Sequence, residues 1–166
     1  MEIFHQIYLS CPSCSSFCVS ACELEMSKSF EGSKVFEAPP EKILSLINDF
    51  EAYSEFLPGC LESSRLPSPE ADFIRGRLAF SLLNKMYLFE SRNQILENQV
   101  SITQSKGPFT NFNALWTLEV IDKNLTKVEF QAKFTLPFAL NIITTQSLIN
   151  KVGHKFIVAF SDQLLK

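Results

Sequence analysis

The sequence predicts an α+β domain: a curved antiparallel sheet of about six strands wrapped around a long C-terminal helix, with two short helices after the first strand. Three observations predict it. Apolar residues between 74 and 136 recur with a period of two, those from about 140 to 165 recur at helical spacing, and Pro39-Pro40 opens a short amphipathic stretch. A sheet with one apolar face must hide it, and the elements available are two short helices and one long one. The sheet must therefore curl around the last helix. If side chains leave the interior unfilled, a tunnel remains between them.

The elements follow in order. Ser29 to Glu37 reads as a first strand. Pro40 suits a first helical turn and Glu41 the positive end of its dipole, while Ile43, Leu44, Ile47 and Phe50 repeat at helical spacing, which predicts a helix over 40–50. A further helical turn at 53–57 closes on Pro58-Gly59, where glycine lets the chain reverse. Ile74, Leu78, Phe80 and Leu82 then alternate with Arg75, Arg77 and Ser81. Strands near 86–97, 99–105 and 112–121 follow, with Gly107-Pro108 as a turn. Val128, Phe130, Ala132, Phe134 and Leu136 alternate with polar residues in the last strand. In the closing helix Ile149, Val152, Phe156, Ala159, Phe160 and Gln163 fall on one side.

Composition narrows the chemistry. Sixteen Phe against two His weight the chain toward binding and away from acid-base catalysis. Residues 1–100 carry fourteen acids and eight bases (−6), and residues 101–166 carry four acids and seven bases (+3). That is too mild for a dedicated nucleic-acid protein, so no DNA partner is expected, but it allows one weakly basic face. No apolar run approaches the roughly 18 residues of a membrane span. A cytoplasmic protein is expected, at most peripheral at the inner membrane.

Residues 1–25 stand apart as a leader, either disordered or reflecting a start codon assigned too early, and the domain proper spans 27–165. Cys11, Cys14, Cys18 and Cys22 match no zinc or iron-sulfur spacing, so no metal is expected there. Val19-Ser20-Ala21-Cys22 has the form of a lipobox, but no Lys or Arg precedes it. Cys60 reads as a small hydrophobe in the LPGC turn.

Several motifs now combine. YSEFLPGC (53–60), SSRL (63–66), ESRNQ (90–94), GPF (107–109), a Trp three residues after Asn113, V-x-F-x-A-x-F (128–134) and K-F-x-V-A-F (155–160) occur in this order. Together they resemble the START-like coenzyme Q-binding family, which is grouped with polyketide cyclases and includes bacterial RatA-type ribosome-association proteins. The resemblance covers residues 27–165. Ser54 and Ala114 depart from it, standing where that family often has Pro and Gly. It implies a helix-grip fold, START-like and Bet v 1-like, in agreement with the pattern reading.

It also implies a ligand. Walls of Phe80, Phe89, Trp116, Phe130, Phe134, Val152, Phe156 and Phe160 suit a long apolar molecule, each prenyl unit gaining about 3–4 kcal/mol on leaving water. Alternation that points Phe89 inward also sends Ser91 and Asn93 inward, where their donors fit quinone carbonyls; the alternative is that they bond each other or a water. Tyr53, Phe56, Leu57 and Pro58 form either a flap over the tunnel or a core cap on the sheet end, and Phe109 lines the opening or covers an edge. The expected role is non-catalytic binding of ubiquinone or a related polyprenyl quinone in support of respiratory electron transport, with no resident cofactor and no catalytic or metal residues. The resemblance offers two alternatives. One is binding to a ribosomal subunit that blocks 70S association in a toxin-like manner, with Lys127, Lys133, Lys151 and Lys155 on phosphates. The other is a polyketide cyclase-like enzyme, against which His154 falls opposite the apolar helix face.

Overall fold

The computed structural model describes residues 27–82 and 84–166, so the leader and its four cysteines lie outside the described residues. The chain runs β1 (Ser27–Phe36), α1 (Pro40–Asn48), α2 (Tyr53–Phe56), β2 (Cys60–Leu66), β3 (Ile74–Leu82), β4 (Lys85–Leu96), β5 (Gln99–Lys106), β6 (Asn111–Asp122), β7 (Leu125–Thr135), α3 (Phe138–Ile143) and α4 (Gln146–Leu164). Seven strands form one antiparallel sheet in the order β1-β7-β6-β5-β4-β3-β2. The strand not anticipated is β2, an edge strand whose register slips between Cys60 and Glu62, which hides its alternation. Further irregularities at Glu90/Ser91 and Val120/Asp122 bend the sheet toward α4.

The crossover from β1 to β2 joins opposite edges of the sheet through α1 and α2. Pro40 starts α1 as expected, and Ile43 and Ile47, one turn apart, bury its inner side. The helix ends at Asn48 because Asp49 leaves the helical region (φ −86°, ψ 68°), so Phe50 belongs to the 3-10 turn that follows. Tyr53 is buried among Phe50, Phe56 and Phe160 at ring distances of 5.7, 5.7 and 5.4 Å. Its hydroxyl donates to the Ile47 carbonyl, and burial holds the phenol protonated far above its ordinary range. Gly59 makes the reversal into β2 at φ 82° and accepts a hydrogen bond from Ser81 N at 2.8 Å.

The C-terminal helix differs from the prediction in its start and in its buried face. The apolar run is split: α3 ends at Ile143, Thr144 is extended and buried, and Thr145 caps α4 by accepting from Leu148 N at 3.2 Å. A threonine hydroxyl that bonds the first free amide favours a new helix start over continuation. The buried line on α4 is Ile149, Gly153, Ile157, Phe160 and Leu164, with Val152, Phe156 and Ala159 half-buried on one flank.

Gly153 sets that rotation. A Cβ there would stand 2.5 Å from the Phe30 ring, and one on Gly32 would meet Ile157 Cδ1 at 2.6 Å. Two glycines therefore let α4 press against β1. The helix is also tied at both ends: Gln146 Nε2 donates to Ser29 O at 2.6 Å, and Lys42 Nζ donates to Leu164 O at 2.8 Å, a cation on a free C-terminal carbonyl.

Gly153→Ala is expected to lower the unfolding free energy by about 1–3 kcal/mol in urea titration, through overpacking. The same change in an open helix raises stability by about 1 kcal/mol, so the sign of the effect tests the contact. Tyr53→Phe strands the Ile47 carbonyl acceptor and should cost roughly 1–2 kcal/mol in the same titration.

Candidate functional site

Alternation along β4 places Phe89, Ser91 and Asn93 on the concave side, all three buried, while Met86 and Leu88 face out. Across the sheet Asn93 belongs to one row: Ile74, Asn93, Ile102, Ala114, Ala132 and Phe30 stand side by side on β3, β4, β5, β6, β7 and β1. The middle of this row is short, since Ala114 and Ala132 carry single methyl groups.

Aromatic clusters stand on both sides of the row. Toward the β5–β6 loop, Phe89, Phe109, Phe112 and Phe134 are in contact, with Phe89–Phe112 and Phe109–Phe112 at 5.0 Å and Phe109–Phe134 at 5.1 Å. Gln104 fixes this loop: its Nε2 donates to Phe109 O at 2.8 Å and its Oε1 accepts from Phe109 N at 3.3 Å. Toward α2, Trp116 packs on Phe130 at 4.4 Å and on Phe160 at 5.1 Å, and Phe160 meets Phe56 at 5.3 Å. At that end the space between sheet and helix is filled by rings in mutual contact.

Between the clusters lies a polar anomaly. Asn93 is 1% exposed and its Oδ1 has no hydrogen-bond partner, so Ser91 does not satisfy it. A buried amide oxygen left unpaired costs on the order of 1–3 kcal/mol. The buried polar set of the described residues is Ser91, Asn93, Thr126, Thr144 and Ser161; it contains no carboxylate and no imidazole. Thr126 is spent on structure, donating to Ala38 O at 2.8 Å.

The residues read as a flap separate. Tyr53 and Leu57 are core, Phe56 is half-buried on Phe160, and Pro58 is exposed. Phe80 stacks on Tyr87 at 5.7 Å near the β2 edge, and Val152 and Phe156 are half-buried on α4. Cys60 is a free thiol beside Phe80 in the pairing register, and burial pushes its pKa up, which lowers its reactivity at neutral pH.

A separate groove of about 580 Å³ runs along the outer flank of α4, bordered by Phe56, Pro58, His154, Lys155, Asp162 and Gln163 among others. Of the predicted lining residues only Phe56 and Pro58 reach it. His154 is exposed there, with its ring edge-on to Phe30 at 5.4 Å, because Gly153 beside it carries the buried face.

The charges are distributed differently from the expected basic face. On the convex face Arg77 pairs with Glu90 at 2.8 Å, Arg92 pairs with Glu70, and Lys127 pairs with Glu129 at 2.7 Å and Glu119 at 3.4 Å. The two carboxylates hold the Lys127 pKa up. Lys133 shares this face without an ion-pair partner among the described residues, whereas Lys151 and Lys155 lie on the outer flank of α4, on the other side of the sheet. The four lysines do not form one surface.

Comparison with known proteins agrees with this architecture. The chain is 24% identical over 139 residues to the ribosome association toxin RatA of Pseudomonas aeruginosa, covering 83% of this chain and 96% of that protein. It is 28% identical over 123 residues to RatA of Vibrio cholerae, covering 73% and 84%. The fold is shared with TTHA0849 from Thermus thermophilus (TM-score 0.73, 17% identity, 83% of this chain and 97% of that one). It is shared too with the Zhui aromatase/cyclase from Streptomyces (TM-score 0.65, 14% identity, 84% and 92%). The family model described as polyketide cyclase / dehydrase and lipid transport matches residues 36–160, from the end of β1 through most of α4, and the chain belongs to that START-like family, as a RatA-type member.

Proposed function

We propose that this chain is a non-catalytic, RatA-type protein that associates with a ribosomal subunit in the cytoplasm and hinders formation of the 70S particle. The observation that carries this reading is the alignment with RatA of Pseudomonas aeruginosa over 96% of that protein's length. Lys151 and Lys155, exposed on one flank of α4 and free of ion pairs among the described residues, are the cations best placed for ribosomal phosphates. Lys127 is already neutralised by two carboxylates.

A second reading rests on Asn93. A hydrophobic molecule lying along the Ala114–Ala132 row would place its polar end against the unpaired Oδ1. The Asn93 amide carries an acceptor and two donors, so it can meet a hydroxyl or a carbonyl, and a polyprenyl quinone in either redox state offers one of them. This ligand role and ribosome association use different surfaces and are compatible in one molecule.

In sucrose gradients, adding purified protein to a ribosome extract should lower the 70S peak and raise the free subunits; unchanged profiles at excess protein would remove the ribosome reading. Lys151→Ala/Lys155→Ala should weaken subunit binding and reduce its log–log salt slope by about 2, with Lys127→Ala close to wild type. For the second reading, solvent extracts of protein purified from different hosts should yield one class of apolar molecule with a polar head group by mass spectrometry. Asn93→Leu should abolish that co-purification and raise stability by roughly 1–2 kcal/mol, because it removes an unpaired buried carbonyl. A ligand retained by this variant would show that Asn93 does not hold it.

A further inference from the structure

No residue of the six-residue helix α3 is fully buried; Leu140 and Asn141 are half-buried and the rest are exposed. Phe138 is 72% exposed, Ile142 65% and Ile143 50%, and Pro137 and Ala139 beside them are exposed as well. Phe138 and Ile142 are one turn apart on the same side, and Ile143 adjoins them, so the three form one apolar tip. Backbone bonds close its turns: Leu140 N and Asn141 N donate to Pro137 O at 2.9 Å, and Thr144 N donates to Leu140 O at 3.0 Å. A large exposed apolar cluster on a folded domain marks a contact surface.

Charge around the tip narrows the occupant. The stretch from Gln131 to Ser161 contains Lys133, Lys151 and Lys155 and no Asp or Glu. At the same end of the sheet, Lys28 opens β1 opposite Phe134, Lys133 stands two residues before the end of β7, and Lys106 ends β5. None of Lys28, Lys106 and Lys133 has an ion-pair partner among the described residues. An apolar tip at the end of the sheet that carries these unpaired lysines suits an anionic lipid surface, where lysines meet headgroup phosphates while Phe and Ile enter the acyl boundary. RNA phosphate would satisfy the lysines and leave the apolar side chains in water. From this we infer that α3, with Lys28, Lys106 and Lys133, is a docking element for anionic membrane surfaces, independent of the ribosome-binding reading.

The test is flotation of the full chain with vesicles of phosphatidylcholine alone or mixed with phosphatidylglycerol. The chain should float with the anionic vesicles and much less with the neutral ones. Phe138→Ser/Ile142→Ser/Ile143→Ser should cut the bound fraction about tenfold, and Lys106→Glu/Lys133→Glu should make binding fail at lower salt. Because the three apolar side chains are exposed, the triple variant should keep the wild-type thermal midpoint and its effect on 70S particles. Phe138→Trp gives a second readout in an otherwise intact chain: its emission should shift to the blue with anionic vesicles, while buried Trp116 stays constant. Failure of the wild type to float, or equal flotation of the triple variant, overturns the inference. So does a dimer that the triple variant dissolves in light scattering, which would assign the tip to a second copy, or loss of the 70S effect in that variant, which would assign it to the ribosome.

Discussion

The position of α4 depends on one contact, the Phe30 ring against Gly153. With Gly32 clearing the way for Ile157 on the neighbouring strand position, the helix meets the edge strand β1 at a distance no residue with a Cβ would permit. Everything on the concave side is measured from that contact. Close approach at β1 brings Phe160 within reach of Trp116, Tyr53 and Phe56, and those rings fill the end of the concave face next to α2. Dispersion between rings at about 5 Å is weak pair by pair, but a connected set of six buries a large apolar area, and this end is accordingly closed. The other end is covered by the Phe89–Phe134 group and by the loop that Gln104 holds. Asn93 thus sits at a waist between two aromatic blocks, in a row kept low by Ala114 and Ala132.

Much of this was legible because β-strands obey a strict period. Once Phe89 is inward, Ser91 and Asn93 must be inward too, and they are. The β7 pattern and the Pro39-Pro40 helix start are legible for the same reason: each rests on a local rule that tertiary context had no cause to override. What escaped obeys no period. The polar edge strand β2 contains a bulge, so Cys60, Ser63 and Leu66 carry no alternating signal. The division of the last helical run depends on a hydroxyl-to-amide bond at Thr145, which competes with helix continuation by a small margin. The buried face of α4 was misplaced because glycine counts as nothing in an apolar pattern, yet Gly153 is the residue pressed hardest against the sheet. Tyr53 read either as a flap over the tunnel or as a core cap; its burial and its hydroxyl bond to Ile47 make it core.

Electrostatics separates the surfaces that packing leaves open. Most convex-face cations sit beside carboxylates, and exposed pairs of this kind add little to stability. Their larger effect is to cancel the field that would otherwise attract polyanions to the sheet. Among the cations without an ion pair are Lys151 and Lys155 on the outer flank of α4, and Lys28, Lys106 and Lys133 at the end of the sheet that leads into α3. A chain of net charge −3 can therefore still present two local basic regions.

Those two regions differ in what surrounds them. On the α4 flank the lysines adjoin a groove that mixes Phe56, Val158 and Ala159 with Asp162 and Glu55. A rigid, polar macromolecule can match such a surface. Around α3 the neighbours are bare Phe138, Ile142 and Ile143, on an element that contributes no buried side chain to the core. Because Phe138, Ile142 and Ile143 stay exposed, the stability of the core does not explain the apolar face they form. At roughly 25 cal/mol per Å² of apolar surface, keeping these side chains in water forgoes a few kcal/mol that burial would recover. A sequence retains that exposure where the burial takes place in a complex, and the lysines around the tip fix the sign of the surface it meets.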